Sequence, residues 1–186
     1  MKKIFLIAAM MVATLSASAQ VEKGQFTLKP TVGMNISTIT GSMSNKKAKV
    51  GLIAGAEAGY GIADKMALTA GLFYSMEGYK VGDAKANLDY LNIPILYNYY
   101  VVEGLALKAG IQPAFNVRHK ASLNGNTNDI PGVQSFNFSI PVGLSYEFSN
   151  VMIDARYNIG CTKLYKDAKE GCNSTFSFTV GYKFNL

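Results

Sequence analysis

The sequence has no tryptophan, one histidine and two cysteines among its 186 residues, and only 16% of its residues are charged. After residue 19, no stretch reaches the roughly 20 consecutive apolar residues that a transmembrane helix needs. The single histidine, His119, has Ser122 and Asp129 nearby in sequence but no nucleophile motif around it. A histidine-centred enzyme is therefore disfavoured, and we expect no catalytic residue, no cofactor and no metal site.

The N-terminal segment has the pattern of a secretory leader. Lys2 and Lys3 precede an apolar run over 4–15, and Ala17-Ser18-Ala19 forms a small-residue cleavage site. The apolar run is too short to span a bilayer as a helix, so an uncleaved anchor is the less favoured alternative. We expect a signal peptide over 1–19 and one mature domain over 20–186, whose formal net charge falls from +6 to +4 when the two lysines leave.

What the chain has in place of long apolar runs is alternation. In the stretch 175–186, Phe176, Phe178 and Val180 are separated by polar or small residues, which is typical of a strand with one apolar and one polar face. About seven earlier segments show the same period of two. We predict strands over 25–36, 50–62, 66–77, 88–101, 105–117, 135–148, 151–160 and 175–186.

The connectors between these strands alternate in length. Short turns fall at 63–65, 102–104 and 149–150, and long loops fall at 37–49, 78–87, 118–134 and 161–174. An even-stranded outer-membrane barrel has short periplasmic turns and long external loops. The sequence therefore predicts an all-β fold, an eight-stranded antiparallel, up-and-down transmembrane β-barrel.

The aromatic residues indicate which face of the barrel points outwards. Tyrosines and phenylalanines collect at both ends of the apolar faces, as in the two aromatic girdles of a lipid-facing band. Those at the turn side are Tyr60, Tyr146, Phe148, Tyr182 and Phe184, and those at the loop side are Phe136, Phe138, Phe176 and Phe178. A soluble barrel with its apolar face around a ligand cavity stays as the alternative.

The chain also resembles a known family. The stretch 89–97, DYLNIPILY, the run 59–79 and the closing Gly181-Tyr182-Lys183-Phe184 are similar to the outer-membrane β-barrels common in Bacteroidota, labelled porin-like or PorT-like. The architecture is also similar to small barrels of the OmpX and OmpA type, although those often end in Phe and this chain ends in Leu186. The resemblance implies a cell outer-membrane location, Gram-negative biogenesis and no shared enzymatic activity.

Charged residues on the polar faces are predicted to fill the lumen, because eight strands leave room only for side chains. The residues concerned are Glu57, Lys108, Glu147, Asp154, Arg156 and Lys183. Buried charges are tolerated only when they are paired, so we expect an internal ion-pair network that acts as a plug. A narrow gated path through this network is the alternative.

Cys161 and Cys172 bracket the fourth long loop. Because adjacent strands lie about 4.8 Å apart, a disulfide across the base of the loop is sterically reasonable. Free thiols and a metal site are the two alternatives, and the metal site is weak because no histidine or third cysteine lies nearby.

The predicted loops carry most of the mature net charge. Lys46, Lys47, Lys49, Lys163, Lys166 and Lys169 form the basic loop set, with Lys80, Lys85 and Lys120 beside it. Phosphates and carboxylates of lipopolysaccharide or capsule are the expected counter-charges. The alternative is that these lysines bind no specific ligand and are solvated or in contact with lipid headgroups. We expect outer-membrane lipid, lipopolysaccharide and, during biogenesis, the barrel-assembly machinery as partners, and no nucleic acid.

Prolines inside predicted strands oppose this interpretation, since proline removes a ladder hydrogen bond. Pro94, Pro113 and Pro141 fall at similar heights, so we expect a line of bulges or weakened pairing across strands four to six. The predicted function is structural or interactive, namely envelope integrity or adhesion. A narrow channel for small solutes or ions is the first alternative, and a secreted soluble ligand-binding barrel is the second.

Overall fold

The computed structural model describes residues 22–40, 46–82, 84–123, 126–164 and 171–186. The predicted leader over 1–19 lies outside these residues. Within them the chain forms strands and no helix that could cross a membrane. The strands are β1 Phe26–Ile39, β2 Lys46–Ala63, β3 Met66–Val81, β4 Ala84–Asn92, β5 Ile95–Val102, β6 Leu105–Leu123, β7 Asn126–Asp129, β8 Phe136–Phe148, β9 Val151–Gly160, β10 Asn173–Tyr182 and β11 Phe184–Asn185.

These strands close into a barrel. All pairings are antiparallel, in the order β1, β2, β3, β4 with β5, β6, β8, β9 and β10, and β1 closes the ring by pairing with β10 and β11. Strands β4 and β5 together form one wall strand, as do β10 and β11, while β7 only extends the external end of β6. The ring therefore has eight wall strands, and the predicted fold class is confirmed.

Alternation gives the wall two different faces. Apolar side chains such as Val32, Leu52 and Ile153 point outwards and stay exposed, while polar partners such as Thr31, Asn98 and Ser145 are buried in the lumen. Aromatic pairs mark both ends of the outer face: Phe26 with Tyr60 at the turn side, and Phe115 with Phe136 at the loop side, with ring centroids 4.7 Å and 5.6 Å apart. The soluble barrel with an apolar cavity is therefore wrong, because the polar face is inside.

The interior is narrow, and glycines let aromatic rings enter it. Phe73 points inwards and is buried. A Cβ atom on Gly55 or Gly71 would lie 2.8 Å or 2.7 Å from its ring, so a larger residue at either position would displace Phe73. The small residues of β2 and β3 therefore make room for side chains from the neighbouring wall, which is the expected way to fill an eight-stranded barrel.

The predicted weakening of strand pairing is confirmed at Pro94 and Pro141, and at Pro113 it affects only the side that faces β4 and β5, where Gln112 and Pro113 have no strand partner. The predicted strand 88–101 is split at Ile93-Pro94, between β4 and β5. Between β6 and β8, the paired residues Ala109 and Val142 are followed by Gln112 and Ser139, so pairing lapses beside Pro141. Pro113 keeps Phe138 as its partner, and its carbonyl accepts a hydrogen bond from the Ile93 amide at 2.9 Å. Pro113 and Pro141 are thus not level, contrary to the sequence-based expectation.

Strands run further at the loop end than predicted. The expected loop over 78–87 is a tight hairpin, since β3 ends at Val81 and β4 begins at Ala84. The loop over 37–49 is also shorter, because β1 extends to Ile39 and β2 starts at Lys46. These extensions project as a hairpin sheet beyond the apolar band. Their outer face meets water, while Tyr79 and Ala86 on their inner face are buried, so the outer positions need no apolar residues and the alternation is lost.

Candidate functional site: the barrel lumen and the basic rim

A four-residue ion-pair ring crosses the turn-side half of the lumen. The Lys108 ammonium lies 3.0 Å from Glu57 and 2.8 Å from Asp154, and the Arg156 guanidinium lies 3.3 Å from Glu57 and 3.0 Å from Asp154. These residues come from β2, β6 and β9, so the ring spans the barrel rather than one hairpin. Its two cations and two anions balance, and no side chain in it is more than 9% exposed.

A second charged group lies closer to the short turns. The Glu147 carboxylate accepts hydrogen bonds from Lys29, from Lys183 at 2.9 Å and from the Tyr100 hydroxyl at 3.1 Å. Lys183 is further fixed by its backbone, because its amide donates to the Asn150 carbonyl and its carbonyl accepts from the Asn150 side chain. We call this group and the four-residue ring together the charged plug.

The structure therefore brings all six predicted lumen residues into two adjacent groups. Glu147 and Asp154 were expected to face each other across their hairpin, but they belong to different groups. Sequence reasoning missed Lys29 and Tyr100. Lys29 lies on the polar face of a predicted strand between Leu28 and Pro30, so alternation alone could have found it.

A polar layer follows towards the loop end. The buried Glu77 carboxylate accepts hydrogen bonds from Ser75, Asn92, Asn173 and Thr175. It borders a cavity of about 10 Å³, which is about the room needed by one water molecule. Asparagines 137, 158 and 173 also line the cavity, and two of their amide oxygens, on Asn158 and Asn173, have no hydrogen-bond donor among the described residues.

An apolar cap closes the external end. It is a buried cluster of Ile39, Tyr79, Ala86, Leu88, Tyr90, Ala114 and Leu164, with Ile130 and Val133 packed against it. Leu164 comes from the fourth loop and is 2% exposed. Its carbonyl accepts from the Gln134 amide at 2.9 Å and its amide donates to the Gly171 carbonyl at 2.8 Å, so backbone hydrogen bonds hold the loop over the lumen.

The two cysteines are free thiols, so the structure does not support the predicted disulfide between Cys161 and Cys172. Continuing the β9–β10 register would place them opposite each other, but Cys172 pairs with Lys163 instead. The chain after β9 leans towards β8: the Cys161 amide donates to the Phe138 carbonyl, and the Phe138 amide donates to the Thr162 hydroxyl. This irregular stretch offsets the two cysteines.

The predicted basic loops are largely strands. Lys46, Lys47 and Lys49 lie in β2, and the neighbouring Lys80 and Lys85 lie in β3 and β4. Their strands continue because backbone pairing persists above the membrane, as between Lys47 and Lys80. Lys163 lies in loop four, while Lys166 and Lys169 lie outside the described residues. We call Lys47, Lys49, Lys80, Lys85, Arg118, Lys120 and Lys163 the basic rim.

His119, Ser122 and Asp129 each contact a different partner on this rim. His119 Nδ1 lies 2.9 Å from the Asn116 side-chain oxygen, whereas Ser122 pairs with Thr127 at 3.2 Å. Asp129 is the strand partner of Lys120. Among the described residues, no group of three or more His, Cys, Asp or Glu side chains could hold a metal ion.

An eight-stranded antiparallel barrel with an apolar outer wall, aromatic girdles and a filled polar lumen defines a small transmembrane β-barrel of the outer-membrane type. The family model described as "Outer membrane protein beta-barrel domain" matches residues 5–184. The chain belongs to this family, and its location is the outer membrane. No curated protein matches the sequence.

Solved barrels of other bacteria share this fold. Neisserial surface protein A (NspA) is 20% identical, with a TM-score of 0.57 over 91% of this chain and 99% of its own. The attachment invasion locus protein Ail of Yersinia pestis is 16% identical, with a TM-score of 0.56 over 87% of this chain and 99% of its own. Ail has also been solved in complex with the heparin analogue sucrose octasulfate, at 15% identity and a TM-score of 0.57 over 87% of this chain and 99% of its own. At these identities the likeness shows the fold alone.

Proposed function

We propose that this protein is a closed outer-membrane barrel that acts through its external end, in envelope integrity or surface adhesion, and does not conduct solutes. The observation that carries this proposal is the double closure of the lumen. The charged plug fills the turn half with side chains that are nearly fully buried, and the apolar cap covers the loop end. The cavity between them, about 10 Å³ in volume, is far smaller than a solute path.

The rim supports a partner of negative charge. Five basic-rim residues (Lys47, Lys49, Lys80, Lys85 and Lys120) come from the projecting strands, and Lys163 lies close to the base of loop four. Electrostatic attraction by such a surface favours polyanions, including the phosphates and carboxylates of surface polysaccharide. The complex of Ail with a heparin analogue offers a precedent for a sulfated ligand on this fold. We also propose that the chain is one of the PorT-like barrels common in Bacteroidota, because the stretches 89–97, 59–79 and 181–184 resemble that group.

Planar-bilayer conductance tests the closed lumen. The refolded protein should insert without producing a stable open channel. Arg156→Ala removes one cation of the four-residue ring, and we expect it to lower stability more than it raises conductance, because the remaining charges and the cap still fill the lumen. Arg118→Ala, a change of the same chemistry on the half-exposed rim, is the matched control.

A narrow channel is the competing function. It would be favoured if the unmodified protein gave discrete, voltage-stable openings, or if Arg156→Ala conducted ions freely at unchanged stability. Either result would show that the plug opens without unfolding and would contradict the closed-barrel proposal.

A further inference from the structure

Three lysines are aligned across the projecting strands. Lys47 on β2 is the direct partner of Lys80 on β3, and Lys80 is the direct partner of Lys85 on β4. Direct partners in antiparallel strands share one face of the sheet, and their Cβ atoms lie about 4.5–5.5 Å apart. The three residues, which we call the lysine row, thus place three ammonium groups side by side.

The lysine row faces away from the barrel axis. Its sequence neighbours Tyr79 and Ala86 are buried in the apolar cap, on the lumen side of the same strands. Successive side chains of a strand point to opposite faces, so Lys80 and Lys85 project from the outer wall. Lys47 shares this face because it is paired with Lys80. Along the row, Lys85 is followed by Ser122 on β6 and Thr127 on β7.

The rows nearer the membrane contain acids, whereas the lysine row is purely cationic. Arg118 lies 3.5 Å from Asp89, whose carboxylate also accepts a hydrogen bond from the Tyr74 hydroxyl at 2.7 Å. One level higher, Lys120 is paired with Asp129. Within the described side chains, no carboxylate lies within 4.0 Å of Lys47, Lys80 or Lys85. Asp83, in the turn between β3 and β4, lies outside the described residues.

Such a row is costly for the isolated chain, because like charges opposite each other on neighbouring strands destabilise the sheet. A negatively charged ligand would offset this cost.

The distance of the row from the lipid-facing band indicates which ligand can reach it. Lys85 lies four residues beyond Asp89 along β4, or about 13 Å at the usual rise per residue. Tyr74 belongs to the outer apolar face and reaches Asp89, so Asp89 marks the upper edge of the lipid-facing band. The lysine row therefore lies at the level of the surrounding headgroups.

We propose that the lysine row is a binding site for the phosphate groups of lipids in the outer leaflet. This inference rests on the proposed anion-binding role of the external end and deepens it by naming the residues and the ligand. Lysine ammonium groups bind phosphates as point charges. Neighbouring strands lie about 4.8 Å apart, so the row spans about 10 Å and can contact two phosphates of one headgroup or of adjacent lipids. The outward direction favours a lipid beside the barrel over a soluble polymer above it.

The test uses the refolded full-length barrel in detergent micelles, with purified bisphosphorylated lipid A as the probe. Lys80→Gln/Lys85→Gln removes two charges from the row and keeps Lys47. Each lysine near an anionic surface contributes a factor of about five, so we expect the Kd for lipid A to rise about 25-fold. Lys80→Arg/Lys85→Arg should retain binding. Lys23→Gln/Lys65→Gln, the same change of charge on exposed residues of the turn side, is the matched control and should leave the Kd unchanged.

Three ligands distinguish the sources of the phosphate. Lipid A stripped of both phosphates should bind the unmodified protein as weakly as lipid A binds the Gln variant. Sucrose octasulfate reports on soluble polyanions. Equal lipid A affinity in the Gln variant and the unmodified protein would overturn the proposal. So would a loss of sucrose octasulfate binding without a loss of lipid A binding, which would assign the row to a soluble polymer.

Heat-modified gel mobility confirms that each variant is folded. Planar-bilayer conductance is measured in parallel, so failure of the lipid site can be told apart from failure of the closed-barrel proposal.

Discussion

The charged plug and the apolar cap close the same lumen by opposite means. All residues of the plug except Lys183 lie on wall strands, and Lys183 lies in the break between β10 and β11. Some partners in the plug lie far apart in sequence: Lys29 and Glu147 are 118 residues apart. The cap depends on loop residues such as Leu164, Ile130 and Val133, which pack onto the upper ends of the wall. The turn half of the lumen is thus closed by side chains of the barrel wall, whereas the loop end is closed by loop residues that pack onto the wall.

This difference has an energetic consequence. A buried ion pair contributes little net stability, yet removal of one partner leaves an uncompensated charge and costs about 3–5 kcal/mol. Removal of apolar bulk from the cap leaves a cavity beside chain that can relax. We therefore expect damage to the plug to be global and damage to the cap to be local.

The largest expected effect is at Glu147. Glu147→Gln removes the carboxylate that holds both Lys29 and Lys183, and leaves two buried cations near each other. We expect a loss of about 3–5 kcal/mol in the free energy of unfolding. The measurement is urea unfolding of the refolded barrel in lipid vesicles, followed by heat-modified gel mobility. Glu103→Gln, at an exposed turn on the same side, should stay within about 0.5 kcal/mol of the unmodified protein.

A second substitution separates charge from packing at this site. Lys29→Met added to Glu147→Gln removes one of the two cations, so part of the lost stability should return. If the double variant is as unstable as the sum of the single ones, the cost comes from packing and hydrogen bonding rather than from unbalanced charge. Charge balance would then not be what holds the plug together.

The next effect is at the cap. Leu164→Ala removes the loop-four side chain from the apolar cluster and should cost about 2 kcal/mol at that end of the molecule. Hydrogen exchange should speed up in the segment 130–134 and in the upper ends of the wall strands, because local opening is governed by local contacts. Exchange in the turn-side half of β9, around Met152 and Asp154, should not change. Leu52→Ala, on the outer wall, is the matched control.

Faster exchange throughout the barrel in Leu164→Ala would contradict the comparison, since it would mean that the cap and the plug unfold as one unit. Unchanged exchange at 130–134 would show that loop four does not hold the cap.

Much of the fold was predictable because every second residue of a wall strand faces lipid and must be apolar. The apolar face fixes the strand period, and the short turns between strands need few residues, so β9 was predicted at its observed bounds. Above the membrane this selection ends. Lys47 and Lys80 lie in paired strands whose sequence has no alternation to reveal them. The cap was missed for a related reason: Leu164 belongs to a loop with no period of two, and its burial depends on contacts distant in sequence.

The smallest expected effect concerns the cysteines at the base of loop four. Because both are free thiols, Cys161→Ser/Cys172→Ser should change the free energy of unfolding by no more than about 0.5 kcal/mol. In the native barrel a maleimide should label Cys161 faster than Cys172, since Cys161 is exposed while Cys172 is half-buried and its amide and carbonyl both hydrogen-bond with Thr40. Mass spectrometry of labelled peptides measures both rates without reductant. Labelling that requires reductant would place Cys161 opposite Cys172, which demands a register without the offset at Lys163. Leu164 follows directly after that offset. Labelling that requires reductant would therefore also mean that Leu164 packs differently in the cap.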